Sequence, residues 1–381
     1  MRYDYTISLS KEFVDYWPAT KNIMHRVVHV FFHIVLFPEV VKAFGPSATT
    51  TVNPFIVPSF SLLELRSNRR SDELASVLST TGIIAVNGLD DSFSNFGVFA
   101  GNREKAFRGL CSCMAGRRND EFLNTVDNTD RSLLSDGVTT RTSIATATIR
   151  GTPLPLPNEQ IERVCGNQVP EAMETLRDYV SIVTDAFLGS IDHLIHHSFS
   201  LQRENSHCSG KKKRSCLLRT LEGDEFSSVK AIVDASQNLE HFHLYSKPPT
   251  LPSDELSSIE GVATVKDNIV AIPTHVDAGL FLSFIPAYSC DEDSMNNVDL
   301  SFHVNVGGET KPAVFPPDSV IVMLGAGAEH WLKLPSLLPL RATKHAVKIN
   351  EGNISAWYGM SKWCLICSLS YCVLTPRYKR Y

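Results

Sequence analysis

The chain lacks a membrane-length apolar run. The apolar run in MHRVVHVFFHIVLFPEVV (24–41) reaches about eleven residues before Pro38, against the roughly 18 that a spanning helix needs. It resembles the apolar part of a secretory leader, with His25 and Arg26 ahead of it and KAFGPSA behind, and translation from Met24 would improve the fit. Read as a buried or amphipathic helix instead, it sets His25, His29 and His33 on one face. The first reading implies secretion, the second a cytoplasmic protein. Basic excess is missing too: 36 Lys and Arg against 41 Asp and Glu leave a net charge of -5, no footprint for nucleic acid. The KKKR run, Lys211–Arg214, sits in a loop-like segment (204–216) and reads as a solvated insertion. There is no cysteine framework. Nine cysteines at irregular spacing predict reduced thiols, with Cys111 and Cys113 buried, and the lone C-x-x-C at Cys364 and Cys367 lacks the partners of a zinc site. Nor does the Gly307–Gly308 turn carry the Lys-Ser/Thr of a phosphate loop.

What is present is 381 residues at 43% hydrophobic content, enough to bury one large core or two modest ones. Helical spacing marks SDELASVLSTTG, with Ser71 as N-cap and Gly82 as stop, and residues 98–118 and 119–136. The helix from 170 to about 195 sets Met173, Leu176, Val180, Val183 and Phe187 on one stripe, with His193, His196 and His197 at its C-terminal end. Residues 50–68 read as loop and edge strand. IIAVNGL and RTSIATATIRG read as strands, and after 235 short alternating strands dominate.

The chemistry concentrates in IPTHVDAGLFLSFIP (272–286). On a strand, residues i and i+2 share a face, so His275 and Asp277 leave the sheet side by side. A later strand, LRATKHAVKI, supplies His345, and His330 in AGAEHWL is the competing third ligand. Two imidazoles and one carboxylate form a facial triad with open positions, a donor set suited to Fe(II) and oxygen.

The order His-x-Asp-x-Gly-Leu, then PPDSVIVMLG, then a lone His followed by Ala-Val resembles the C-terminal half of the Fe(II)/2-oxoglutarate-dependent dioxygenases, isopenicillin-N-synthase-like branch. The resemblance covers residues 235–360 and extends weakly to ELASVLSTTGIIAVNGLDD. It implies an α+β protein: a double-stranded β-helix (jelly-roll) barrel over 231–360, a helix-rich region over 61–230, an extension over 1–60 and a divergent tail over 361–381. It also implies His275, Asp277 and His345 as iron ligands, 2-oxoglutarate and O2 as cosubstrates with ascorbate as reductant, and a small-molecule substrate. In LEHFHLYSKPP, His241, His243 and Tyr245 alternate on one face, as cosubstrate contacts or as polar groups of the core. The family's basic residue ten positions after the distal His, which pairs with the far carboxylate of 2-oxoglutarate, is here Ser355; Arg341, Lys344 and Lys348 are the nearby cations that could substitute. That departure keeps a second reading open, a non-catalytic metal-binding or scaffold member of the fold. A metal hydrolase finds no second metal cluster in the sequence.

Overall fold

A computed structural model describes residues 53–89, 98–115, 118–149, 152–205, 218–219, 225–236, 238–249, 270–290, 301–316, 318–330 and 338–362. The leader-like run, the Lys211–Arg214 loop and the tail after 362 lie outside them. Along the chain run β1 (Phe55–Ile56), β2 (Ser59–Ser61), α1 (Leu62–Ser67), α2 (Ser71–Thr80), β3 (Ile83–Asn87), α3 (Val98–Met114), α4 (Asn119–Thr125), β4 (Thr129–Leu133), β5 (Thr140–Ile149), β6 (Thr152–Pro153), α5 (Asn158–Cys165) and α6 (Gln168–Asn205). There follow β7 (Leu218–Arg219), β8 (Glu225–Phe226), α7 (Val229–Ala235), β9 (Leu239–Ser246), β10 (Ile272–His275), β11 (Phe281–Ser289), β12 (Phe302–Val306), β13 (Glu309–Val314), β14 (Val320–Leu324), α8 (Ala326–His330), β15 (His345–Val347) and β16 (Ile354–Lys362).

Two sheets carry the architecture. The smaller has the order β1-β13-β12-β15-β10; the larger runs β2-β3-β14-β11-β16-β9-β5-β4, with β6 on β5. All pairs in them are antiparallel except β1 with β13 and β2 with β3. Their facing sides share one apolar core, to which the larger sheet gives Ile83, Tyr245, Phe284, Ile321, Met323 and Trp357, and the smaller Phe302, Val304, Ala313 and Val347. Period-two alternation splits each strand's side chains between two environments. The outer face of the larger sheet meets α6: Phe187 stacks edge-on against Phe281 at 5.3 Å, and the Thr184 hydroxyl donates to Ser283 Oγ at 3.0 Å. Met173, Leu176, Val180, Val183 and Phe187 are all buried, as the stripe predicts. Each such side chain contributes about 1.5–3 kcal/mol. A sheet covered on both faces explains why β3 and β14 are almost wholly apolar. Among the described residues no helix is long and apolar enough to cross a membrane.

Several elements differ from the sequence reading. Within 50–68 a helix forms, α1, because Ser61 Oγ accepts from Glu64 N at 3.1 Å while the Glu64 carboxylate accepts from Ser61 N at 2.7 Å, a capping box. Helix α2 is capped by Arg70, with Ser71 as its first helical residue. Residues 119–136 are helical only to Thr125; Asn128 takes φ 59°, and Thr129–Leu133 pairs with β5 as an edge strand. Helix α6 continues to Asn205, so His193, His196 and His197 lie within it and not at its end.

The cysteines depart furthest from expectation. Cys111 is bonded to Cys290 and Cys113 to Cys165, across sequence separations of 179 and 52. Helix α3 presents both cysteines to elements distant in the chain, one at the end of β11 and one at the end of α5. No local spacing records such pairings.

Candidate metal centre

The site starts from one cross-strand pair. His275 ends β10 and His345 begins β15, and the two are direct partners in that antiparallel ladder. Partners directly opposite share a face, and the two rings lie 4.2 Å apart between centroids. Asp277 is not on the strand, as the alternation implied, but in the turn that follows it. That turn is stitched to the start of α8. Gly325 N donates to Leu280 O at 2.9 Å, Ala326 N to Asp277 O at 2.7 Å and Gly327 N to Gly279 O at 3.0 Å. Gly325 has to be glycine, since a Cβ there would press on Gly279 O and stand 2.7 Å from Asp277 O. The Gly-rich segment after β14 therefore serves to hold the Asp277 loop.

Backbone carbonyls aim the imidazoles. His275 Nδ1 lies 2.9 Å from Pro273 O, and His345 Nδ1 lies 3.1 Å from Thr343 O. A carbonyl only accepts, so each Nδ1 carries the proton and each Nε2 is free toward the carboxylate. His275 Nε2 is 3.4 Å from Asp277 Oδ1, and His345 Nε2 is 4.0 Å from Asp277 Oδ2. One donor atom from each residue falls within 4.8 Å of the others. His345 is buried and stacks on Phe302 at 5.1 Å; His275 and Asp277 are partly buried.

Electrostatics follow from this packing. Burial works against the charged form of Asp277, but His275, which hydrogen-bonds it once the ring is protonated, and the neighbouring imidazoles outweigh that and hold its pKa below the ordinary value. Burial likewise disfavours the His275 imidazolium, yet Asp277 outweighs it and the pKa is raised. At His345 burial prevails and the pKa is lowered.

The remaining candidates are not among the three converging donors. His330 ends α8, exposed, in a groove with Val276, Glu329, Arg341 and Lys344, apart from the three donors. His243 is held at 2.8 Å from Ser143 Oγ, and burial pushes its pKa well below the usual imidazole value. His241, stacked on it at 4.9 Å, is lowered to about 4 by burial. Tyr245 is buried directly opposite Ser355, whose Oγ is buried with no hydrogen-bond partner. Arg341, Lys344 and Lys348 are all exposed. One residue escaped the sequence reading. Arg141 stands opposite Tyr245 on β5, and the alternation Arg141, Ser143, Ala145 already set it on one face of that strand.

No family model matches the chain, and no curated protein sequence matches it. Among solved structures, JOX2 in complex with 2OG, Fe and JA superposes with a TM-score of 0.50 at 11% identity, covering 83% of this chain and 77% of that one. The chain has the fold of the 2OG-Fe(II) oxygenases. The rice dioxygenase for auxin oxidation gives 0.48 at 11% identity, with 81% and 83% covered. A 2OG-Fe(II) oxygenase family protein from Caulobacter crescentus gives 0.44 at 13%, with 85% and 94% covered.

Proposed function

We propose that the chain is an Fe(II)- and 2-oxoglutarate-dependent oxygenase acting on a small molecule, with His275, Asp277 and His345 as the iron ligands. The observation that carries this reading is the convergence of two imidazole nitrogens and one carboxylate within 4.8 Å, with both Nδ1 protons engaged by backbone carbonyls. The donor chemistry fits the metal: neutral imidazoles and a carboxylate on one side, with open positions opposite. On this reading the two facing sheets are the walls of a double-stranded β-helix, and the triad sits where β10 and β15 end on one of them.

Bound iron would supply the redox chemistry, coupling oxidative decarboxylation of 2-oxoglutarate by O2 to oxidation of a substrate C–H bond. The chain's residues do the rest. Pro273 and Thr343 carbonyls keep each imidazole in the tautomer that donates through Nε2. The Gly325–Gly327 amides fix the loop that carries Asp277. Phe302, Phe284 and Trp357 form an apolar floor that limits water near His345.

The test is succinate release when the purified chain is given Fe(II), 2-oxoglutarate, ascorbate and air. A chain that binds metal yet releases no succinate, even uncoupled from substrate, favours the second reading, a non-catalytic metal-binding member of the fold. Ser355 at the position of the family's cation is the observation behind that alternative.

A further inference from the structure

Five strands of the larger sheet lay one polar row across its inner face. Ser132 on β4 is the direct partner of Arg141 on β5, Arg141 of Tyr245 on β9, Tyr245 of Ser355 on β16, and Ser355 of Ser289 on β11. Direct partners in an antiparallel ladder share a face. Tyr245 belongs to the core between the sheets, so the whole row turns toward the smaller sheet, the one that carries His275 and His345.

Tyr245 hydrogen-bonds Arg141, yet three polar atoms of the row stay open. Arg141 Nε, Ser132 Oγ and Ser355 Oγ are buried without a hydrogen-bond partner, as is the Trp357 indole nitrogen in the adjacent row. Buried donors are nearly always satisfied, because each one left open costs about 1–3 kcal/mol. Four on neighbouring positions of one wall mark a place where an acceptor belongs. Among the described residues no carboxylate forms an ion pair with Arg141, so this half-buried cation suits an incoming anion. The row also adjoins the triad. His241 and Tyr245 feel the charge of both Arg141 and Asp277, which puts both side chains within electrostatic reach of the cation and of the triad's carboxylate.

Resting on the function proposed above, we infer that Arg141 receives the far carboxylate of 2-oxoglutarate, with the Ser355 hydroxyl as a second donor. The charge expected on β16 is thereby supplied two strands away. At about 4.8 Å per strand its Cα lies roughly 10 Å from that of Ser355, across Tyr245, a gap that a long side chain on the same face closes. A guanidinium suits the task through its planar fork, which meets both oxygens of a carboxylate.

The experiment compares two ligands of equal carbon count on the full chain loaded with Co(II) under nitrogen: 2-oxoglutarate, and 2-oxovalerate, which lacks the far carboxylate. Isothermal titration reads binding without turnover. The wild type is expected to prefer 2-oxoglutarate by about tenfold or more, and Arg141→Gln should shrink that preference to within about twofold by weakening 2-oxoglutarate alone. Adding Ser355→Arg to Arg141→Gln should restore it. A metal-loaded wild type with no preference overturns the assignment of Arg141, and so does an Arg141→Gln chain that keeps the preference. The wild-type comparison stands even where the variant fails to fold. A chain that takes up no metal overturns the metal reading and the inference with it.

Discussion

His275 and His345 are direct cross-strand partners, about 70 residues of chain separating two rings whose centroids lie 4.2 Å apart. The ladder between β10 and β15, not the local His-x-Asp spacing, is what makes them neighbours. His275→Ala, Asp277→Ala or His345→Ala should each lower metal affinity by about a hundredfold or more, at least the upper end of what losing a supporting partner costs a metal site. His330→Ala should leave it unchanged. Metal content after equilibrium dialysis decides. A loss with His330→Ala and none with His345→Ala would reverse the ligand assignment.

Gly325 is expected to matter for the same site without touching a ligand atom. Its missing Cβ lets the start of α8 lie against the Asp277 loop. Gly325→Ala should displace that loop, weaken metal binding about tenfold or more and lower Tm, since the backbone on both sides is hydrogen-bonded and cannot yield freely. Unchanged metal titration in a folded Gly325→Ala chain would refute this.

The two disulfides make stability redox-dependent. Cys113–Cys165 and Cys111–Cys290 tie α3 to α5 and to the end of β11. Loss of either is expected to cost about 2–5 kcal/mol. Thermal melts with and without a strong reductant, and of Cys113→Ser, give the measure. Peptide mapping without reduction should join Cys111 to Cys290 and Cys113 to Cys165; free thiols at these positions would count against both bonds.

Lys362 is buried at the end of β16, and burial depresses its pKa from 10.5 to about 8. The folded state then binds fewer protons than the unfolded state between those values, so this group's cost is full below about pH 8 and is relieved as pH rises toward 10.5. The cost is about 3 kcal/mol. Lys362→Met should therefore be more stable than the wild type near about pH 7, with the advantage shrinking through that window. An advantage that is constant with pH would show that the lysine is neutral or solvated in the fold.

Much of the candidate site could be read from residue types and order. His275, Asp277 and His345 were legible because a strand-end His-x-Asp, a Gly-rich turn and a later His come in a fixed sequence, and each has a local chemical reason. The α6 stripe was legible because 3.6-residue periodicity is a local property. The α1 helix could have been found as well, since Ser61 and Glu64 carry the capping-box spacing in plain sight.

Residue pattern by itself determined which segments bury one face, which positions alternate and which side chains could bind a metal, since these follow from covalent geometry and side-chain chemistry along a few turns or strands. Only the tertiary structure decided the partners. The cysteine pairings, the loop position of Asp277 and the row that joins Arg141 to Tyr245 and Ser355 all depend on strand order and register. Those are set by how two sheets and a helical layer close over a shared core, where contacts between residues distant in the chain bring their free energy all at once and leave no trace in the spacing of any one segment.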